Sequence, residues 1–276
     1  MAEITAAAVK ELRELTGQPM MDCKAALAEA GGDKDAAVRI LRERNKKVQE
    51  TRLGRDTEFG RIGIYVDPAK NVGAIVELLC ESAPVAGGTD VRQLATDLAQ
   101  QLATGPGAAS AEELLKQKSP SKPTQTLGEQ KDDMFNRIRE VFNVGRILRI
   151  DGQCVGYVHA TGDLASLVEY EGGDAATAKD IAMHIVASNP SSVNKEDVDA
   201  TEVAKEKEFL TEQARKEGKP ENIIAKMIDG RMGNFYAARV LTEQPFVKDN
   251  AVSVSSVLKQ AGMKVKRFVN WKLGKS

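Results

Sequence analysis

Apolar residues in this chain repeat with two different periods, and the change between them limits the fold more than any other feature. Through the first 45 residues they recur every three or four positions, as in Val9, Leu12 and Leu15 and again in Ala37, Val38 and Leu41. From Arg61 they recur every second position, at Ile62, Ile64 and Val66, before the near-continuous run Val72 to Cys80. A helical module followed by sheet-containing modules, an α+β architecture, satisfies both periods. Aromatic residues make up 4% of the 276 positions, so the cores must be assembled from Ala, Val, Leu, Ile and Met. Several small cores suit that composition, and the length gives room for two domains. The 39 basic and 40 acidic residues leave a formal net charge of -1, which argues against a nucleic-acid wrapper or an acidic tail protein.

Punctuation divides the chain further. Thr5 caps a first helix that Gly17 stops; a second runs from about Met20 to Glu29 and ends at Gly31-Gly32; Asp33 caps a third. The charged run Arg42 to Arg55 holds few apolar residues and reads as a linker. Ile62–Val66 and Val72–Cys80 form a hairpin around the Pro68–Asn71 turn, followed by an irregular loop over Ser82–Gly88. Thr89 opens a helix with Val91, Leu94, Leu98 and Leu102 on one face. Gly105–Thr126 reads as surface connection around one short helix, and a helix carrying Met134, Ile138 and Val141 follows. Asp151-Gly152 predicts a tight turn joining Val144–Ile150 to Gln153–His159 as a second hairpin. A strand at Leu164–Tyr170 and a helix at Ala176–Ala187 complete that unit, and the helix segment Asp180–Ile185 echoes Asp97–Leu102, a weak internal duplication of a hairpin-plus-helix module. Glu202–Glu217 and Glu221–Val240, flanking Gly218-Lys219-Pro220, predict a protruding antiparallel helical hairpin anchored by Val203, Phe209, Leu210, Ile223, Ile224, Met227 and Ile228. A helix at Val254–Ala261 and a strand at Val265–Leu273 close the chain.

Reactive chemistry is sparse. Three isolated cysteines, Cys23, Cys80 and Cys154, offer neither a disulfide framework nor a metal cluster, and together with Glu3, Lys10 and Glu11 in the opening segment they point to a reducing cytoplasm without a signal peptide. No apolar run approaches membrane-spanning length. Two histidines and the absence of nucleophile-elbow, zincin or dinucleotide fingerprints argue against an enzyme, and no cofactor or metal is expected. The terminal Gly274-Lys275-Ser276 lacks the upstream glycine and following helix of a phosphate loop. His184, among Ile181, Met183 and Ile185, reads as a packing residue before a ligand. The stretch from Lys259, with Lys264, Lys266, Arg267, Lys272 and Lys275 around Phe268 and Trp271, reads either as a solvated strand face or as a nucleic-acid surface. Met20 and Met21 cannot both enter one small core, so they serve either docking or packing.

Val9-Lys10-Glu11-Leu12-Arg13, Thr16-Gly17 and Met20-Met21-Asp22-Cys23-Lys24, with Ala26-Leu27, Glu29-Ala30 and Gly32-Asp33, closely resemble the N-terminal module of bacterial elongation factor Ts. The resemblance continues in family order through Tyr157-Val158-His159, Ile181–Ile185, Ala187-Ser188-Asn189-Pro190, Gly230-Arg231-Met232 and Gln244-Pro245-Phe246-Val247. It implies a ubiquitin-associated-like three-helix module over residues 1–45, a linker at 46–59, and a core N-subdomain at 60–143. It further implies a C-subdomain at 144–201 and 241–276, interrupted at 202–240 by a coiled-coil hairpin that makes a homodimer.

The function implied is guanine-nucleotide exchange on elongation factor Tu, with a binding or chaperoning relative of weak exchange activity as the alternative. Direct nucleic-acid binding and membrane association are not implied. Partner contacts carried over are Arg13, Met20, Met21, Lys24, His159 and Val247. Without the resemblance, Arg13 and Lys24 read as solvated charges, His159 as a strand-end cap and Val247 as core. Where the family places Thr-Asp-Phe-Val to disturb the partner's Mg²⁺ site, this chain has Ser82-Ala83-Pro84-Val85. Neither the carboxylate nor the aromatic wedge is present, which leaves Pro84 to stiffen the loop, Val85 to act by shape and Glu81 to supply charge. Pro19 stands where most relatives carry a small residue, and the chain stops near its last strand, where many relatives add a helical module.

Overall fold

A computed structural model describes residues 4–52, 54–218 and 220–274, without the side chains of residues 221 and 222. The end of the phosphate-loop candidate, Lys275-Ser276, lies outside the described residues, as do Glu3 and the Lys219 of the helical turn. Helix and strand both contribute heavily, so the chain is α+β.

The chain opens with α1 (Ala6–Thr16), α2 (Met20–Glu29) and α3 (Lys34–Glu50). Thr5 Oγ1 accepts from the Ala8 N–H, Asp33 Oδ1 accepts from the Ala36 N–H, and Gly17 ends α1 at φ 67°, a left-handed conformation that glycine adopts without a Cβ clash. Val9, Leu12, Cys23, Ala26, Leu27, Ala37 and Leu41 close a small core among these helices. Two expectations fail here. Leu15 is exposed, because residues at i, i+3 and i+6 drift about 60° per step around a helix and the third has left the stripe that Val9 and Leu12 bury. The charged run expected as a linker is helical to Glu50: its Arg, Glu, Lys and Gln residues are good helix formers, and Asn45 is buried on the inner face.

The first sheet orders β1 (Phe59–Asp67), β2 (Val72–Cys80) and β3 (Phe142–Asp151), with β2 central and buried almost throughout. Buried Glu77 on β2 pairs with Arg146 on β3 at 2.9 Å, and Gly145 leaves the space its carboxylate occupies. Between β2 and β3 lie α4 (Ala83–Ala86), α5 (Thr89–Thr104), α6 (Ala111–Leu115) and α7 (Leu127–Ile138). The loop expected to be irregular therefore contains one helical turn, started by Pro84 in its first turn. The segment expected as surface connection is anchored instead, by Leu114 in the core and by Ser119 and Ser121, which donate to the buried Asp97 carboxylate. Gln93 and Gln130 donate to the same carboxylate, so its burial is compensated without a cation. Val141 lies beyond α7, which Arg139 ends in a left-handed conformation.

The second sheet orders β4 (Cys154–Val158), β5 (Leu164–Gly172) and β8 (Met263–Lys272), all antiparallel neighbours, with Leu167 opposite Gly156 on one side and Val269 on the other. The hairpin expected across Asp151-Gly152 does not form. β3 belongs to the first sheet and β4 to the second, and the Gly152 N–H donates to Asn71 O instead of closing a ladder. α8 (Ala175–Ser188) covers β4 and β5, burying Ala178, Ile181, Ala182 and Ile185 with Val168, Leu241, Val254 and Val265. α9 (Ala200–Lys216) and α10 (Glu221–Arg239) lie against each other through Leu210, Met232 and Phe235, flanked by Val203, Ile228 and Tyr236. Phe209 (62% exposed) and Ile223 face solvent, contrary to their expected anchoring role, because Leu210 and Ile224 take the inward positions beside them. β6 (Pro245–Phe246), β7 (Asp249–Ser253) and α11 (Val254–Ala261) lead into β8. The chain clusters into two compact units, one of Met1–Tyr65, Ala74–Arg149 and Leu273–Ser276, the other of Val66–Gly73 and Ile150–Lys272.

A Cβ on Gly63 of β1 would sit 2.1 Å from Ala95 O of α5, so strand and helix backbones meet where only glycine fits. Gly63→Ala should destabilise the first unit by about 2 kcal/mol in urea unfolding, since overpacking must displace α5. An unchanged midpoint would refute that close approach.

Candidate docking surface

The apolar face of α2 carries Cys23, Ala26 and Leu27. At 100° per residue, Met21 and Lys24 turn away from that face, while Met20 stays within about 20° of Leu27 but stands one turn before the core, at the helix start; all three are exposed, Met20 by 51% and Met21 by 71%. Pro19, extended at ψ 142°, starts the helix so that both methionines stand in its first turn. Two adjacent solvent-facing thioethers favour the docking alternative over packing, because methionine adapts its shape to an apolar partner surface. Arg13 is exposed on α1 of the same module.

The second element is Ser82–Val85. The Ser82 N–H and Oγ donate to the two oxygens of Glu140, at 3.1 and 2.6 Å. Glu81 accepts from the Val141 N–H at 2.7 Å and from Arg55 at 2.9 Å. Burial works to raise the Glu81 carboxyl, but the Val141 N–H and Arg55 outweigh it and hold the group below the usual carboxylate range. Both Glu81 oxygens are engaged, so the charge it supplies beside the turn is held by Arg55 and the Val141 N–H. Ala83 and Pro84 stand exposed on a turn anchored from behind, with Val85 half-buried.

The remaining candidates sit on two turns of the second unit. His159 follows β4, its Nδ1 2.8 Å from Thr161 Oγ1, and that hydroxyl donates to Asp163. Val247 lies between β6 and β7 and is 44% exposed, which corrects its bare-sequence reading as core. Its N–H donates to His184 Nδ1 at 3.2 Å, so Nδ1 is unprotonated and Nε2–H donates to Gln244 Oε1 at 2.9 Å. His184 is thus a packing residue as expected, and it also fixes the turn that presents Val247. Gln244, whose amide donates to Ser188 O and Ala238 O at 3.4 Å, had no sequence signal beyond its place before Pro245-Phe246-Val247.

A family model described as Elongation factor TS matches residues 81–275. The elongation factor Ts of Methylococcus capsulatus is 42% identical over 274 residues, covering 98% of this chain and 92% of its own length. That of Nocardioides sp. is 40% identical over 280 residues, covering 99% and 100%, and that of Deinococcus deserti is 38% identical over 267, covering 96% and 98%. The chain belongs to the elongation factor Ts family. This agrees with the resemblance carried by its N-terminal and central motifs, and the family model reaches through the divergent Ser82–Val85 turn. Among the described residues, no cluster of three or more His, Cys, Asp or Glu side chains is placed to hold a metal. No helix there is long and apolar enough to cross a membrane.

In this elongation factor Ts relative, burial lowers the His184 imidazole below its ordinary value, with the Gln244 hydrogen bond opposing weakly. The unfolded chain binds the proton more readily, so stability is undiminished above the ordinary histidine value of ~6.5 and is lost as pH falls toward the lower folded value. Protonated Nδ1 would also face the Val247 N–H, donor against donor. Urea unfolding of the second unit should weaken between pH 7 and pH 5, and His184→Gln should flatten that slope. An equal slope in the variant would remove His184 as the cause.

Proposed function

We infer that this chain acts as the nucleotide exchange factor of elongation factor Tu, the activity of the family to which it belongs. It binds the partner carrying GDP, loosens the nucleotide, and leaves when GTP enters. The physical basis is linkage: a protein that prefers the nucleotide-free partner weakens nucleotide binding by the same factor by which nucleotide weakens its own binding. Near full-length similarity to elongation factor Ts carries this reading. Docking falls to Arg13, Met20, Met21 and Lys24 on the three-helix, ubiquitin-associated-like module, to His159, and to Val247. The exposure of both methionines and of Val247 supports that assignment.

The Ser82–Val85 turn approaches the partner's Mg²⁺ region without a carboxylate or an aromatic wedge, so it acts by the shape of Ala83-Pro84 held against Glu140. Loss of that side-chain pair also favours a second reading, a binding or chaperoning relative with weak exchange. Internal ion pairs of Lys266 with Glu171 and Arg267 with Glu169, both at 2.6 Å, favour the solvated-strand reading of the basic C-terminal strand over a nucleic-acid surface. The two sheets, each a hairpin with a later strand beside its second member, support two related subdomains. Activity on a translation factor supports a cytoplasmic location.

Adding the chain to elongation factor Tu loaded with a fluorescent GDP analogue should speed release. Restoring Asp and Phe at positions 83 and 84 should speed it further, by about tenfold or more. Stable complex formation with unaltered release would leave the chaperoning reading in its place.

Residues 202–240 form the dimer contact, for which Phe209 and Ile223 supply exposed apolar surface. Sedimentation at micromolar concentration should give twice the chain mass, and Phe209→Ser should shift it toward the monomer. A monomeric mass for the unsubstituted chain would refute this contact.

A further inference from the structure

We propose that Arg139 is the latch that seats the three-helix module against α7 within the first unit and so fixes where Arg13, Met20, Met21 and Lys24 stand, a role that rests on the docking function assigned to them above. Its guanidinium reaches all three parts of the module. Nη2 donates to Gln18 Oε1 in the α1–α2 turn at 3.0 Å and to Asp22 Oδ2 in α2 at 3.2 Å, and Nη1 donates to Asn45 Oδ1 in α3 at 3.1 Å. Gln18 and Asn45 are buried, so both need a donor. Asp22 follows Met21 directly, which ties the latch to the first turn of the docking helix. From the module's side, Arg52 donates to the Arg139 carbonyl.

Two observations make this contact more than one ion pair among many. Arg139 caps α7 at φ 66°, a left-handed position where glycine or asparagine is less strained. An arginine kept there retains a guanidinium that the cap itself does not need. The module's apolar core is also closed within its own helices. Between the module and α7 runs a cleft of about 760 Å³, bordered by Leu15, Asn45, Asp133 and Asn136. Among the described residues, other contacts across it are that Gln49 donates to Asp132 at 2.9 Å at the surface and that the Arg137 stem lies against Gly17. Seating of the module therefore depends on polar contacts that converge on one side chain.

Arg139→Gly separates positioning from folding, because it removes the guanidinium while relieving the backbone. The variant should keep the helix content of the unsubstituted chain, because the module's apolar core is closed within its own helices. Its half-saturating concentration in GDP release should rise about tenfold, while the maximal release rate changes less than twofold. Spin labels on Ala28→Cys in α2 and Arg92→Cys in α5 report seating directly, since the three native cysteines are buried. The label distance should be narrow in the unsubstituted chain and broad with Arg139→Gly. Asn45→Ala should broaden it too, and the double variant should be no worse than Arg139→Gly alone. A narrow distance in the glycine variant, or additive effects in the double variant, would overturn the latch. If the unsubstituted chain fails to speed GDP release, the exchange reading falls, and the label distances still decide on the latch.

Discussion

Three consecutive residues, Arg139, Glu140 and Val141, form the turn on which the arrangement of the first unit depends. The left-handed backbone at Arg139 ends α7 and swings the chain into β3, where Phe142 is already buried. Each residue of the turn then holds a different part. The Arg139 side chain takes Gln18, Asp22 and Asn45; the Glu140 carboxylate takes both donors of Ser82; the Val141 N–H takes Glu81. The three-helix module and the Ser82–Val85 turn are thus referred to one short piece of backbone. Polar contacts suit the task, because each contributes only about 1 kcal/mol net yet constrains direction in a way apolar packing does not.

The second unit solves a related problem with different chemistry. The echo between Asp97–Leu102 and Asp180–Ile185 puts Gln101 and His184 at corresponding places, and each ties down a later glutamine: Gln101 donates to Gln117, and His184 to Gln244. The other end of the echo has diverged. Asp97 is enclosed by serine and glutamine donors, whereas Asp180 pairs at the surface with Lys248, the residue after Val247. One copy spends its polar residues on a buried network that holds Ser119–Ser121, the other on presenting a turn. Only the second is sensitive to pH near neutrality, since imidazole changes charge there and an amide does not.

Local signals were the most legible in the sequence. Thr5, Gly17 and Asp33 act where capping chemistry put them, and β1 and the continuously buried β2 lie where their apolar residues place them. Errors arose where a distant partner decides. Asp151-Gly152 has the composition of a hairpin turn, yet strand pairing depends on which edges stand free, and the neighbours of β3 and β4 lie in different sheets. The charged end of α3 is helical partly because Asn45 meets an arginine 94 residues away, which no window of sequence displays. Of the candidate surface, residue types were legible but accessibility was not. Two methionines and a valine resemble core until burial is known, and the support from Glu140, Arg139 and Gln244 arises from contacts between segments remote in sequence.

A docking protein that must also let go faces a constraint that this arrangement meets. Tight binding through a single large apolar patch would slow departure, because differences in affinity appear mainly in the dissociation rate. Several small patches can instead act together, each weak alone, provided that once one is engaged the next is already near its target. That effective concentration falls steeply when an element is free to swing. Rigid seating of the three-helix module then contributes as much as the residues it displays, and one guanidinium supplies three of its fixed points. Aromatic poverty fits the same logic, since the two exposed methionines can adapt their shape to an apolar surface.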